Sequence, residues 1–167
     1  PHPSHPLPHT PPRRGGGGGG GGARPRAGAP PPPPPPPPHA EVVFTDESYQ
    51  AVASARATYR ANIREGRRTA EFHVGDGVAM LSPGSVDLVL SNPPFHSHQA
   101  TTDATALRMF AQSRKVLRPG GELWIVANRH MGYHTHLRRL FGNSEVVASE
   151  PKFVVLRAVK QDRPRPM

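Results

Sequence analysis

The residues best suited to chemistry are Asn92-Pro93-Pro94-Phe95, which follow a short apolar run, Val86-Asp87-Leu88-Val89-Leu90. Two prolines cannot continue a strand ladder, and they fix the local backbone. The Asn92 amide offers a carbonyl acceptor, and so does the main chain of Pro93. Two rigid acceptors can take the two hydrogens of an exocyclic amine. Its nitrogen lone pair is then aimed at an electrophile without a strong base. Phe95 offers a face on which a base turned out of its helix can stack. The bland alternative is a proline turn with a buried phenylalanine.

Two carboxylates stand at comparable places. Asp46 closes Glu41-Val42-Val43-Phe44-Thr45, a β-branched and aromatic run that predicts a buried strand. Asp76 lies in Gly75-Asp76-Gly77, just after a second short strand, 70–74. In an open parallel sheet, ligands sit beyond the carboxyl ends of the strands. A helix N-cap explains one such acid equally well, but Asp46, Asp76 and Asn92 mark three successive strand ends.

The elements that must hold these residues follow from periodicity. Ser48 is a candidate N-cap for an amphipathic helix over 49–63. Ser82-Pro83-Gly84 makes a turn before the strand 86–90. Thr102 and Asp103 are candidate caps for a helix over 104–117, with Leu107, Phe110, Ala111 and Leu117 as its apolar stripe. Arg118-Pro119-Gly120-Gly121 stops it. A buried strand covers 122–127, a basic helix 131–141, and two strands, 144–148 and 153–159, form a closing hairpin. Strands alternating with helices predict an α/β sandwich with a mostly parallel sheet and one antiparallel strand near its edge.

Composition divides the chain into 1–39, 40–160 and a polar tail, 161–167. Of the 167 residues, the first 38 hold 16 of the 23 prolines and 9 of the 17 glycines, including the runs Gly15 to Gly22 and Pro30 to Pro38. With almost nothing to bury, this stretch is expected to stay disordered. The net charge is +9, of which four arginines in the first 38 residues leave +5 for the remainder. A basic domain suits an anionic partner, nucleic acid first. Arginine-rich composition from a GC-rich gene explains the charge as well.

The chain has no cysteine, which excludes a disulfide scaffold and a thiolate metal site. The ten histidines include His96, His98 and the pair His134/His136, but no converging carboxylates accompany them, so no metal is expected. No apolar run approaches the roughly 20 residues that cross a bilayer. A cytoplasmic protein with no membrane association is the expectation.

Taken in order, these motifs resemble class I S-adenosylmethionine (SAM) methyltransferases that act on amino groups. Asn92-Pro93-Pro94-Phe95 is similar to their catalytic motif. Val43-Phe44-Thr45-Asp46 resembles the strand whose terminal acid binds the SAM ribose, and Gly75-Asp76 the turn whose acid meets the adenine. The resemblance thereby implies Asp46, Asp76 and Asn92 as cofactor-binding residues. Residues 117–122 look like the helix-to-strand turn of the same superfamily. More narrowly, Asn-Pro-Pro-Phe-His (92–96), Ile-Val-Ala-Asn-Arg-His (125–130) and Lys-Phe-Val-Val-Leu-Arg-Ala (152–158) resemble bacterial ribosomal RNA guanine-N2 methyltransferases.

That likeness implies a Rossmann-like sheet, SAM as cofactor and the N2 amine of a guanine in ribosomal RNA as acceptor. Phe95, His96 and Arg129 would then contact the substrate. The family's first, central strand and its Gly-rich loop have no counterpart here, so the sheet is expected to be incomplete between the strands ending at Asp46 and Asn92. Two alternatives stay open: an impaired relic that binds RNA, and an amino-methyltransferase whose acceptor is a protein glutamine or an adenine.

Overall fold

The computed structural model describes residues 39–63, 69–93 and 100–162. Six strands and three helices run in the order β1 (Val42–Asp46), α1 (Tyr49–Asn62), β2 (Ala70–Val74), β3 (Val86–Ser91), α2 (Ala100–Val116), β4 (Leu117–Asn128), α3 (Tyr133–Phe141), β5 (Glu145–Ser149) and β6 (Phe153–Val159). A short 3-10 turn, Arg129–Met131, precedes α3 and takes the first residues of the helix expected over 131–141.

The strands form two sheets. β1 and β2 pair in parallel as a two-stranded sheet, and the other four strands run in the order β3-β4-β6-β5. β3 and β4 are parallel, whereas β6 runs antiparallel to both of its neighbours. The antiparallel strand is therefore interior, with β5 on the edge. β1 and β3 do not pair. Among the described residues no strand lies between β1 and β3, so the two are separated by a gap and not paired directly.

The core lies on one face of the larger sheet. Val89, Leu123, Ile125, Ala127, Leu156 and Ala158 point from the strands toward Ala106, Phe110, Leu137 and Phe141 on α2 and α3. Their alternation along β4 and β6 is the period-2 signature of a strand with one packed face. The buried stripe of α2 is Ala106, Phe110, Ser113 and Val116, at helical spacing, while Ala111, expected inside, is exposed. α2 begins at Ala100, so Thr102 and Asp103 fall within its first turn and are not its caps.

No described helix covers the opposite face. Leu90 is 66 % exposed and Val126 is 41 % exposed. Trp124 is sheltered there, beneath the Arg157 guanidinium, which lies 5.9 Å from its ring centroid.

β1 was expected to be buried, but Val42 to Thr45 are half-buried. Among the described residues β1 has a strand neighbour on one side and a helix on one face, which leaves it half-buried. What packing it has is aromatic: Phe44 stacks on Phe72 at 4.9 Å, and Tyr59 of α1 meets both edge-on at 5.8 Å.

The turn expected at 118–121 exists, but it does not end the strand. Val86 pairs with Leu117 and Leu88 with Glu122, so the loop Arg118 to Gly121 bulges out of a continuous β4. Gly120 takes a positive φ of 80° there. A Cβ on Gly121 would lie 3.0 Å from the Arg118 carbonyl oxygen and 3.1 Å from that of Asp87, so a side chain does not fit.

Candidate functional site

All three polar strand ends stand where sequence places them, but in two different settings. Ser91 is in register with Ile125, so Asn92 falls level with Val126, just past the end of β3. Asn92 is exposed, while Pro93 behind it is among the most fully buried side chains of the chain. The proline thus anchors a backbone whose preceding amide faces outward. The Asn92 side chain has no hydrogen bond to another described residue. Pro94, Phe95 and His96, expected to complete the motif, lie outside the described residues, as does His98.

Asp46 and Asp76 sit together in the smaller sheet. Asp46 is paired with Val74, and its carbonyl oxygen accepts a 3.0 Å bond from the Gly75 amide. Parallel pairing thereby brings both acids to adjacent strand ends. The Asp46 Oδ1 accepts the Ser48 amide at 2.8 Å, and the Ser48 Oγ accepts the Ala51 amide at 3.3 Å. The helix-capping alternative and the site reading therefore hold for one region: Asp46 and Ser48 together start α1.

Asp76 is held more firmly. Arg108 of α2 grips it with two nitrogens, Nε 3.0 Å from Oδ2 and Nη2 3.1 Å from Oδ1. Gln112 Nε2 donates to the same Oδ2 at 3.3 Å. The sequence reasoning missed both partners. A signal existed, since Arg108 and Gln112 stand four apart on the polar side of α2 and so share a face. Gln112 also accepts the Val78 amide at 3.2 Å, and Thr45 donates to the Gly77 carbonyl at 2.6 Å. These contacts tie the small sheet to α2 across the gap.

Arg129, expected at the substrate, is exposed at the end of β4, and its guanidinium donates to the Ser149 hydroxyl. Among the described residues no group of three or more metal-ligating side chains converges, and His134 and His136 are no exception. The clearest electrostatic cluster lies on the uncovered sheet face. Arg157 bridges Glu122 and Glu145 there. The Arg157 hydrogen bond holds the Glu122 carboxyl below the usual carboxylate range, against the opposing effect of burial.

A family model described as a methyltransferase small domain matches residues 36–157. Among curated proteins, "Ribosomal RNA large subunit methyltransferase G" of Streptomyces coelicolor is 73% identical over 122 residues, which are 73% of this chain and 32% of that protein. The protein of the same name from Stutzerimonas stutzeri is 56% identical over 121 residues, 72% of this chain and 32% of its own length. The chain thus spans about a third of the length of these relatives. Among solved structures, a methyltransferase from Pyrococcus furiosus superposes with a TM-score of 0.56 at 14% identity, over 73% of this chain and 64% of that one.

Proposed function

Since the chain belongs to the methyltransferase small domain family, we propose that it presents the acceptor side of a SAM-dependent ribosomal RNA methyltransferase, with the N2 amine of a guanine as the acceptor. The observation that carries this reading is Asn92, exposed beyond β3 on a buried Pro93. The relatives' name supplies ribosomal RNA of the large subunit as the substrate class. Asn-Pro-Pro-Phe-His, with the stretches 125–130 and 152–158, supplies guanine in place of adenine or a protein amide.

In this reading the Asn92 side-chain oxygen and the Pro93 carbonyl accept the two amine hydrogens and fix the nitrogen lone pair. Phe95 stacks on the extruded base, and His96 and Arg129 contact base or phosphate. SAM, when bound, supplies an electrophilic methyl group. Asp46 would hold its ribose hydroxyls and Asp76 its adenine amine.

The donor set fits the cofactor only in part. Asp46 keeps an exposed carboxylate at the right strand end. Both Asp76 oxygens are engaged by Arg108 and Gln112. Beside β1 and β3, where backbone amides would meet the methionine end, the described residues offer no strand. That gap favours a second reading, a domain that captures RNA and transfers methyl groups poorly or not at all.

The test is methyl transfer from labelled SAM, at millimolar concentration, to unmodified large-subunit ribosomal RNA, with nucleoside analysis of the product. N2-methylguanosine, lost in Asn92→Ala, supports the first reading. Label in adenine, or in protein glutamine, overturns the acceptor assignment. No transfer, with RNA binding retained, selects the second reading.

A further inference from the structure

At the end of β4, the strand next to the β3 that Asn92 ends, begins a half-open cleft of whose lining the reaction as derived above uses only Arg129. Its volume is about 240 Å³. Tyr133, Val146 and Val154 form its walls, and Asn128, Arg129 and Ser149 its polar rim. The walls are fixed in different ways. Tyr133 is 3 % exposed and its ring meets Phe110 edge-on at 5.2 Å, deep in the core. Val154 comes from β6, where it pairs with Ala127, and Val146 from β5. On the rim, Arg129 is pinned by its bond to the Ser149 hydroxyl, which leaves its charge facing solvent with little freedom to turn away.

We propose that this cleft receives the nucleotide next to the target guanine in a single-stranded RNA segment, with its base between the apolar walls and its phosphate against Arg129. The inference rests on the reading of Asn92 as the guanine acceptor and adds a second subsite to it. Size suits a small occupant. Sites that enclose drug-sized molecules span roughly 300–1,000 Å³, so this one suits a single base or ribose. Position fits a neighbour on the same strand. Asn92 ends β3, and the cleft runs from the end of β4, one strand spacing of about 4.8 Å to the side, across β6 to β5. A splayed single strand sets successive bases farther apart than the roughly 3.4 Å of a stacked one. Chemistry fits as well, with apolar walls for a base of any identity and a guanidinium for the phosphate.

The test is fluorescence anisotropy with the full 167-residue chain and a labelled RNA pentamer holding one central guanine. Versions lacking the base on either side of the guanine, lacking the guanine base, or carrying inosine in its place are compared. Removing one of the two flanking bases should weaken binding about tenfold, as for one enclosed base. Val146→Trp should fill the cleft, since Val146 is 51 % exposed and the larger ring need not displace the core. In that variant the flanking base should no longer matter. Arg129→Ala, at an exposed position, should weaken intact and abasic RNA equally and reduce the salt dependence.

Equal affinity of intact and flank-abasic pentamers for the unmodified chain would overturn the inference, as would no RNA binding at low salt. If removal of the guanine base still weakened binding, the Asn92 reading would survive that result. A flanking-base effect with inosine bound as tightly as guanine would leave the cleft standing and count against N2 recognition.

Discussion

The larger sheet and the smaller one each carry part of a single site, but they are built to different standards. β3, β4, β6 and β5 share a continuous core with α2 and α3, in which Phe110, Leu123, Ile125 and Leu156 are almost wholly buried. β1 and β2 form a two-stranded ribbon against one helix, with Val52 of α1 fully inside and Val42 to Thr45 half-buried. An isolated pair of strands is marginal in water unless something packs on it. Asn92, which would hold the acceptor, extends from the firm half. Asp46 and Asp76, which would hold the cofactor, extend from the ribbon. Sequence motifs survive in both halves, but only one half has the packing to fix them within the tolerance that catalysis needs.

The contrast can be tested directly. Phe110→Ala should cost about 3–5 kcal/mol, the range for deleting a buried aromatic ring. Phe44→Ala should cost about 1–2 kcal/mol, because its ring is only half-buried against Phe72 and Tyr59. Both are read from denaturant midpoints, and equal losses would erase the difference between the halves. Amide exchange offers the same comparison without mutation. β4 and β6 amides should exchange only on global unfolding, and β1 and β2 amides by local opening.

A smaller effect concerns the uncovered face. Glu122 is held below its ordinary pKa by Arg157, so its contribution is present above the unfolded-state carboxylate pKa and lost as pH falls through the depressed folded value. Acid unfolding of the Glu122→Gln variant should therefore show a shallower loss of stability below about pH 4.5 than the unmodified chain. Superimposable pH profiles would mean that the pair does not form in solution.

The smallest expected effect is also the most informative about Asp76. Arg108→Ala removes the bidentate grip, at a stability cost of under about 1 kcal/mol for so exposed a pair. It frees the carboxylate, so adenosine should bind a few-fold more tightly. Unchanged or weaker adenosine binding would show that Arg108 does not compete for Asp76.

Much of this was legible in the residues. Strand ends at Asp46, Val74 and Ser91 follow from short apolar runs, and the closing hairpin from the short spacing across Glu150-Pro151. The single long β4 was not legible. Pro119 and Gly120 are local breakers, and pairing to β3 on both sides of them carries the strand past. The half-burial of β1 goes with its having one strand neighbour among the described residues, which no pattern within 41–46 records. The Arg108 and Gln112 contacts to Asp76 join residues 32 and 36 positions apart, beyond the reach of local periodicity.

Among the described residues the acceptor side is built and the cofactor side is not. Asp46 and Asp76 offer partners for a ribose and an adenine, while the gap between β1 and β3 leaves the methionine end without backbone donors among the described residues. Misplacing a reacting group by an ångström can cost about 100-fold in rate. Calorimetric titration of SAM into the 167-residue chain is the direct measurement. Binding should be far weaker than micromolar or undetectable. A micromolar dissociation constant would contradict the claim and would require residues outside those described to do the work of the missing strand.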